Sequence, residues 1–456
     1  MSANSVLWKL AFRSLLRQRR RNFISLTMIA LGFASLILVA AHRYRGDHHM
    51  QTTAAYLNRK GQISVYKKDG HLRHLSDQRK YSLSKLEQTD IASIANQVGG
   101  VEMVGNYLVI PGLLSNGCSS VPVIITGIDM AVETSVSNHP RVLYWTPDLY
   151  DIRKGVTLNQ ETSNKLTPIM TTPMVADQLG KGIELNATSV ATNVPLVPDC
   201  MNKEHVAQLG KDPQMQLLLR DALGDVTVID VSQIGRYRTG TLFLDDVSVA
   251  VPLLPLQEGL DSEIATYVGI YLKDIDTREA TLSALNLVFT QQNLPYQALS
   301  STGKELNMLY DGIMKWFWAV EIFVYLLLGF IILITIFNFL TMSILERRSE
   351  IGTLRAIGFK PWLVARIFQI ESFLLSFIGV VFGGALAHVT MLIINSLEIP
   401  YRPPGVPGVI HFILAADFAL YIERAISLLI LTTLCSFAVT WWQSYRGSIN
   451  KLLTST

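Results

Sequence analysis

Two histidines are the first residues whose spacing could support chemistry. His71 and His74 would lie on one helical turn and could present both imidazoles to a metal ion. Protein metal sites need further ligands at suitable spacing, yet Gly70 directly precedes the pair and no cysteine is near it in the sequence. The pattern therefore favours an exposed turn, and we predict no metal site.

Motifs of common enzymes are absent from the sequence. A P-loop requires G-x-x-x-x-G-K-[ST], whereas Gly303-Lys304-Glu305 lacks both the leading glycine and the hydroxyl residue. The patterns H-E-x-x-H, G-x-S-x-G and C-x-x-C do not occur either. We therefore predict that the chain is not an enzyme, has no catalytic residue and binds no cofactor itself.

A charged segment, Ser343–Gly358, lies directly between two long apolar runs. On a short helix, Ile351, Leu354 and Ile357 would share one side. The other residues that we assign to this candidate coupling helix are Glu346, Arg347, Arg348, Glu350, Gly352, Arg355, Ala356 and Gly358. Such a helix lies in the membrane interface with its charged side available to a cytoplasmic surface. It is either a coupling helix that transmits movement or a passive end of the preceding span.

Two carboxylates lie within the apolar runs. Glu371 would lie about one turn inside the third run, where an ionisable group costs at least about 2–3 kcal/mol. It either faces the helix bundle for a functional reason, or it is shallow and reaches interfacial water or Arg366. Glu321 lies near the outer end of the second run, where the cost is small, and we assign it no special role.

Three glycines form a small-residue pattern in the third apolar run: Gly379, Gly383 and Gly384. Small residues allow helix backbones to approach closely. The pattern predicts tight helix packing, for which a dimer interface is one setting.

The elements that would position these residues are mainly membrane spans. Of the 456 residues, 49% are hydrophobic and 16% charged, which is less charge than soluble proteins usually carry. A helical span needs about 20 apolar residues. We predict a basic amphipathic helix over 1–22, spans over 23–44, 316–345, 367–395 and 425–443, a coupling helix and loop over 346–366, a Pro-rich loop over 396–424, and a tail over 444–456.

The distribution of lysine and arginine predicts the orientation, because cytoplasmic loops are enriched in both. Basic residues flank the ends predicted to be cytoplasmic: Lys9, Arg13, Arg17, Arg19, Arg20, Arg21, Arg347, Arg348, Arg355, Lys360, Arg366, Arg446 and Lys451. Arg43 and Arg45 contradict this rule but are outnumbered. Both termini are therefore predicted to be cytoplasmic. The net charge of +3 is too small to indicate binding to nucleic acid.

Residues 45–315, roughly 270, are too many for a simple loop, and they predict an inserted α+β domain on a helical stalk. Strands are expected over Val121–Ile128, Val226–Ile234 and Leu242–Val251, and helices over Thr172–Leu179, Pro213–Leu223 and Asp276–Gln292. Residues 145–225 are candidates for a second lobe. Cys118 and Cys200 could form a disulfide in an oxidising compartment, or both could be free thiols.

The charged segment closely resembles the FtsX-like permease family of ABC transporters. The resemblance is carried by Glu346–Gly358, by Phe368-x-x-Glu371-Ser372 and by Gly379-x-x-x-Gly383, and the order of spans agrees. The predicted outer domain also contains a pattern similar to one found in the outer domains of the lipoprotein-releasing and macrolide-exporter branches. This pattern comprises Gly235–Gly240 and Asp245-Asp246-Val247. The tail, Ser448–Leu452, departs from the family pattern.

This resemblance implies a permease in the bacterial inner membrane that forms a homo- or heterodimer and works with a cytoplasmic ABC ATPase dimer. ATP and magnesium would bind to the ATPase. Its force would enter through the coupling helix and move the periplasmic domain, a mechanism called mechanotransmission. We expect extraction or export of a lipophilic substrate, with a lipoprotein favoured over a drug or peptide. The alternative is a signal relay that activates a periplasmic cell-wall hydrolase. Further expected partners include the lipid bilayer and a periplasmic adaptor.

Overall fold

The structure is a computed structural model and describes residues 19–147, 158, 161–162, 165–181, 199–220, 225–358, 360–402 and 408–446. Within these residues the chain divides into two compact units. The first unit draws on Met1–Gly46, Met314–Ile399 and Phe412–Thr456, and the second on Asp47–Ile313 and Pro400–His411. Lys9, Arg13, Arg17, Lys451 and most of the predicted segments 1–22 and 444–456 lie outside the described residues.

The helices are, in chain order, α1 (Arg19–Thr52), α2 (Gly70–Arg73), α3 (Gln78–Tyr81), α4 (Lys85–Val98), α5 (Met130–Ser137), α6 (Pro140–Trp145), α7 (Pro173–Gln178), α8 (Lys203–Lys211), α9 (Leu242–Asp245), α10 (Leu253–Gly259), α11 (Arg278–Gln291), α12 (Met308–Glu346), α13 (Arg348–Ala356), α14 (Pro361–Ser396) and α15 (Phe418–Arg446). A π-helical turn, Thr53–Leu57, follows α1, and a 3₁₀ turn, Ile275–Thr277, precedes α11.

Four of these helices are long and apolar enough to cross a membrane, which confirms the prediction of four spans. The candidate spans are Asn22–Leu57, Met308–Glu346, Trp362–Ser396 and Phe418–Trp442. Each helix is longer than the apolar run that predicted it, because polar and aromatic residues at the ends of the run continue the helix. The second span, for example, begins at Met308 rather than Trp316.

The first unit has an apolar core to which all four long helices contribute. Phe33 of α1, Ile336 of α12, Phe368 of α14 and Leu428 of α15 are all fully or almost fully buried. Other apolar side chains of the same helices are exposed, including Leu326 at 65%. A helix that buries one stripe and exposes an apolar remainder is suited to a lipid environment.

The second unit is built on a sheet of nine strands. In chain order these are β1 (Ile63–Lys67), β2 (Val101–Ser115), β3 (Ser120–Ile128), β4 (Thr167–Thr171), β5 (Gln214–Arg220), β6 (Val226–Arg236), β7 (Ser248–Pro252), β8 (Tyr267–Leu272) and β9 (Tyr296–Ser300). The strand order is β3-β7-β4-β6-β5-β2-β8-β1-β9, with an additional β2–β3 pairing. Most pairings are antiparallel, while β3–β7 and β4–β6 are parallel.

Two secondary-structure predictions in this unit are wrong. Pro213–Leu223 was expected to be helical, but its described part is strand β5, in which Met215, Leu217 and Leu219 alternate as buried residues. That alternation has the period of a strand. Leu242–Val251 was expected to be one strand, but it begins as α9. The Asp245 carboxylate there accepts hydrogen bonds from the amide and hydroxyl of Thr239, and the strand begins only at Ser248.

The predicted second lobe, residues 145–225, is not a separate lobe in its described part, because β4 and β5 belong to the same sheet as the other strands. Cys118 and Cys200 are joined in a disulfide. Of the two alternatives left open by the sequence, a disulfide or two free thiols, the structure has the disulfide. The bond connects the β2–β3 turn to the residues that precede α8.

A buried ion pair fixes the chain after α1 to the domain. The Arg59 guanidinium donates two hydrogen bonds to the Glu133 carboxylate, from Nη2 at 2.7 Å and from Nε at 3.1 Å. The side chains are only 2% and 4% exposed. Ser137 also donates to Glu133 at 2.5 Å. These bonds fix α5 against the segment that follows α1.

Helix contacts within the second unit support the predicted stalk. Tyr310, in the first turn of α12, donates a hydrogen bond of 2.6 Å to Asp47 of α1 and lies 3.4 Å from the Gln51 amide nitrogen. The loop 396–424 contains a short hairpin, β10 (Pro400–Tyr401) and β11 (Ile410–His411). This hairpin belongs to the second unit. There Gly408 has a positive φ and lies so close to Arg238 that a Cβ would collide with the guanidinium.

Candidate functional site: charged residues near the ends of the candidate spans

The charged segment folds as a helix between two spans. Helix α12 ends at Glu346, and α13 occupies Arg348–Ala356. Gly358 then has φ of +103°, a conformation that side-chain-bearing residues rarely adopt. Lys360 is extended and Pro361 is the first residue of α14, the helical position that proline favours. Gly358 therefore ends the segment that contains α13, and Pro361 begins α14.

Arg347 connects this segment to the third span. Its Nη1 donates to Glu371 Oε1 at 2.7 Å, and its Nε donates to Glu350 Oε2 at 2.9 Å. The guanidinium also lies over the Phe368 ring, 5.4 Å from the centroid. Burial opposes the charge on Arg347, but the bonds to Glu350 and Glu371 outweigh it and hold its pKa above the ordinary value.

Glu371 is therefore a bundle-facing carboxylate. Its side chain is 1% exposed, so the alternative of a shallow group in interfacial water is wrong. The observed cation is Arg347, not the Arg366 considered from the sequence. These two residues are 24 positions apart on different helices, and no local spacing rule could have paired them.

The other residues of the predicted coupling helix have different environments. Ile351 is 9% exposed and joins the core of the first unit, whereas Ile357 is 72% exposed. Gly352 is buried, while Glu346, Arg348, Glu350 and Ala356 are exposed. The backbone of Leu354 and Arg355 is helical, and their side chains lie outside the described residues. The exposed charged residues Glu346, Arg348 and Glu350 therefore lie away from the core of the first unit.

A second charge cluster was missed by sequence reasoning. Glu321 of α12 accepts from Arg43 Nε of α1 through Oε2, and from Arg424 Nη2 of α15 through Oε1 at 2.7 Å. The Glu321 side chain is 11% exposed. The interpretation of Glu321 as a residue without a special role was wrong, since it joins three helices. Arg43, which contradicted the positive-inside pattern, has a carboxylate partner here.

The glycines of α14 lie against α1 of the same chain. A Cβ at Gly379 would lie 2.6 Å from Cγ2 of Ile29, and one at Gly383 would lie 2.5 Å from the carbonyl oxygen of Ala30. At Gly384 the nearest atom would be 3.7 Å away, on Phe33. The close approach predicted from the sequence is thus observed between α14 and α1, within one chain.

His71 and His74 lie on and just after α2. The Nδ1 atom of His74 is 2.9 Å from the Gly70 carbonyl oxygen, and the His71 ring approaches that of Tyr66 at 6.1 Å. Across the described ranges, no group of three or more histidine, cysteine or acidic residues could hold a metal ion.

Comparison with known sequences finds similarity in the C-terminal part of the chain. The family model described as FtsX-like permease C-terminal matches residues 322–449, a range that includes α13, Glu371 and Arg424. The ABC transporter permease YtrF of Bacillus subtilis (strain 168) is 37% identical over 67 residues. This alignment spans 15% of the present chain and 15% of the length of YtrF.

Two solved structures were matched to about half of this chain, both at low TM-scores. The extracellular domain of the noncanonic ABC-type transporter YknZ from Gram-positive bacteria is 14% identical, with a TM-score of 0.29, over 52% of this chain and 99% of that one. The periplasmic region of MacB from Actinobacillus actinomycetemcomitans is 12% identical, with a TM-score of 0.28, over 53% and 91%. At these TM-scores the likeness carries no conclusion about this chain.

Proposed function

We propose that this chain is the membrane subunit of an ABC transporter whose ATPase is a separate chain, a proposal supported by the match of residues 322–449 to the FtsX-like permease C-terminal model. In this proposal, α13 and both termini face the cytoplasm of a bacterial cell, and residues 47–313 face the other side of the inner membrane. The subunit pairs with a second permease, and the ATPase dimer binds ATP and magnesium.

The observation that carries the proposal is the Arg347 connection. Arg347 lies at the junction of α12 and α13 and bonds at the same time to Glu350 of α13 and to the buried Glu371 of α14. A displacement of α13 by an ATPase would therefore move a guanidinium that is hydrogen-bonded inside the bundle. A passive interfacial helix would not require a bond to a carboxylate that is 1% exposed.

Glu321 provides a route for movement at the other end of the bundle. Its carboxylate joins α1, α12 and α15 through Arg43 and Arg424. Helices α1 and α12 are also the ones that lead along the chain into and out of residues 47–313. Three spans connected at one carboxylate would shift together rather than independently, which is what mechanotransmission requires.

The first experiment measures coupling to the ATPase. We expect an ABC ATPase to co-purify with the full chain from membranes, and its ATP hydrolysis to be stimulated by the chain. Glu350→Lys and Gly358→Pro should abolish that stimulation while the chain still inserts and forms the Cys118–Cys200 disulfide. Glu279→Lys makes the same charge change at a residue whose side chain is 71% exposed in the second unit, and it should retain stimulation. Full stimulation by Glu350→Lys would remove the coupling-helix assignment.

The second experiment concerns the substrate, for which we propose a lipophilic molecule, with a lipoprotein favoured. Residues 47–313 would handle it on the far side of the membrane, where lipid-anchored chains emerge from the bilayer. Depletion of the chain should retain lipoproteins in the inner membrane. If lipoproteins sort normally and a periplasmic hydrolase instead loses activity, the chain relays a signal and the substrate proposal is wrong.

A further inference from the structure

Helix α6 begins at a histidine that serves as its N-terminal cap. His139 directly precedes Pro140, the first residue of α6, and its Nδ1 lies 3.2 Å from the backbone nitrogen of Arg141. A backbone amide can only donate a hydrogen bond, so Nδ1 is the acceptor and carries no proton. Serine, threonine, asparagine and aspartate are the usual residues at this position. Histidine differs from them because its charge changes near neutral pH.

A carboxylate determines which nitrogen of the ring holds the proton. His139 Nε2 lies 3.5 Å from Oε2 of Glu102, a residue of β2. Because a carboxylate accepts hydrogen bonds, the neutral ring keeps its proton on Nε2 and leaves the lone pair of Nδ1 to the amide of Arg141. The Tyr56 ring stacks on the imidazole, with centroids 4.5 Å apart, and holds the ring in this orientation.

A second proton on the ring would break the cap. A protonated imidazole is a donor at both nitrogens, so its Nδ1–H would meet the N–H of Arg141. The charged and titratable groups that face His139 are Glu102 of β2, Arg141 of α6 and Tyr56 of the π-helical turn. The His139 side chain is only 14% exposed. The proton would therefore enter a site that is shielded from water.

The environment of the ring sets the direction of the pH dependence. Burial lowers the pKa of His139 below its ordinary value, while Glu102 opposes this shift and Arg141 adds to it. In an unfolded chain the pKa of histidine is about 6.5. Since the pKa in the folded chain is lower, the cap contributes its full stability above about pH 6.5. That contribution is lost as the pH falls through the pKa of the folded state.

The other contacts of α6 show why the cap matters. The helix has six residues, and short helices are marginal in water without packing. Val142 is completely buried, and the Trp145 ring stacks on His48 with centroids 4.3 Å apart. Arg141 Nη2 also lies 3.2 Å from His48 Nδ1. Val142 and the contacts with His48 hold the body of α6, and the bond to His139 holds its first turn.

We propose that His139 is a pH sensor: when its Nδ1 gains a proton from solvent, the cap opens and α6 loosens from the second unit. Only hydrogen bonds change in this step. Neutralising Nδ1 again restores the acceptor, so the change is reversible. The proposal does not depend on the transport function, because every residue in it lies within Asp47–Ile313.

The test measures hydrogen–deuterium exchange of the peptide that contains α6, in the full chain, at about pH 7.5 and at about pH 5. Exchange times are adjusted for the intrinsic pH dependence of amide exchange. The matched variant is His139→Asn, because the asparagine side-chain oxygen accepts the same bond at both pH values. Helix α4, which is capped by Ser84, is the internal reference for any general effect of acid.

In the unaltered chain we expect the α6 amides to exchange about threefold to tenfold faster at the lower pH, as the loss of a cap implies, while α4 is unchanged. His139→Asn should remove most of this difference. An equal acid-induced increase in both chains, or no increase in the unaltered chain, would overturn the proposal.

A second variant keeps the histidine and changes its neighbour. Glu102→Gln removes the carboxylate that raises the pKa of His139, so the rise in α6 exchange should move to lower pH. A rise that stays at the same pH, or moves to higher pH, would show that another group controls α6. This readout remains available if His139→Asn disturbs the fold.

Discussion

Replacing Arg347 by methionine tests whether the cation is needed inside the bundle. The change removes the guanidinium from Glu371, whose side chain is 1% exposed, and from Glu350, which is 45% exposed. Removing one partner of a buried ion pair costs about 3–5 kcal/mol. Arg347 is itself 21% exposed, and solvent weakens its interaction, so we expect a loss of about 3 kcal/mol, or roughly two orders of magnitude in the unfolding equilibrium constant.

A double variant separates the charge from the packing. Arg347→Met with Glu371→Gln removes both charges, so the buried carboxylate no longer loses its cation. Residues in direct contact commonly show interaction energies of about 0.5–3 kcal/mol. We expect the double variant to be more stable than Arg347→Met alone by about 1–3 kcal/mol, although it carries one more substitution.

The assay is unfolding of the full chain from detergent micelles by titration with dodecyl sulfate. Arg348→Met is the matched control, because Arg348 is the adjacent arginine and is exposed. It should change the free energy of unfolding by less than about 0.5 kcal/mol. Equal losses in Arg347→Met and Arg348→Met, or a double variant less stable than the single, would refute the reasoning.

Three further outcomes follow from the packing and can be measured on the same chain. Gly383→Ala should destabilise the bundle by about 1–3 kcal/mol in the dodecyl sulfate assay, because the added methyl group would meet Ala30. Gly384→Ala is the control, since the added methyl group has more room there. Equal losses of stability in the two variants would contradict the close approach of the helices. Arg59→Met should cost about 3–5 kcal/mol by withdrawing the cation from the buried Glu133, seen as faster hydrogen exchange in α5; unchanged exchange would show that the pair does not hold that helix. Cys118→Ser should lower the stability of the second unit by about 2–4 kcal/mol, measured by protease sensitivity under oxidising conditions, and no loss would show that the disulfide contributes little.

Local patterns in the sequence were sufficient to predict the spans and the helix between them. Apolar runs of sufficient length define a spanning helix without reference to the rest of the chain. The alternation of charged and apolar residues in Glu346–Gly358 predicts an amphipathic helix in the same way. Gly379 and Gly383 indicate a close approach because small residues allow helix backbones to come together.

The pairing of charges could not be predicted from the sequence, because it depends on how the helices are arranged. Glu371 could have met Arg366, five residues away on the same helix, or Arg347 on another element, and only the position of the α12–α13 junction beside α14 selects Arg347. Glu321 looked unremarkable for the same reason, since its partners come from the first and last spans. The strand β5 was missed because the sequence Gln214–Arg220 contains three leucines, which suit a helix equally well until sheet neighbours are known.

The contact between Glu321 and Arg43 imposes an order on biosynthesis. The two residues are 278 positions apart, so a ribosome adding about 5–20 residues per second makes the glutamate roughly 15–55 s after the arginine. During that interval the nascent chain has its first hydrophobic segment available for insertion while the counter-ion of Arg43 does not yet exist. Until Glu321 is made, water or another polar group must solvate the Arg43 guanidinium, because its carboxylate partner in the folded chain is still absent.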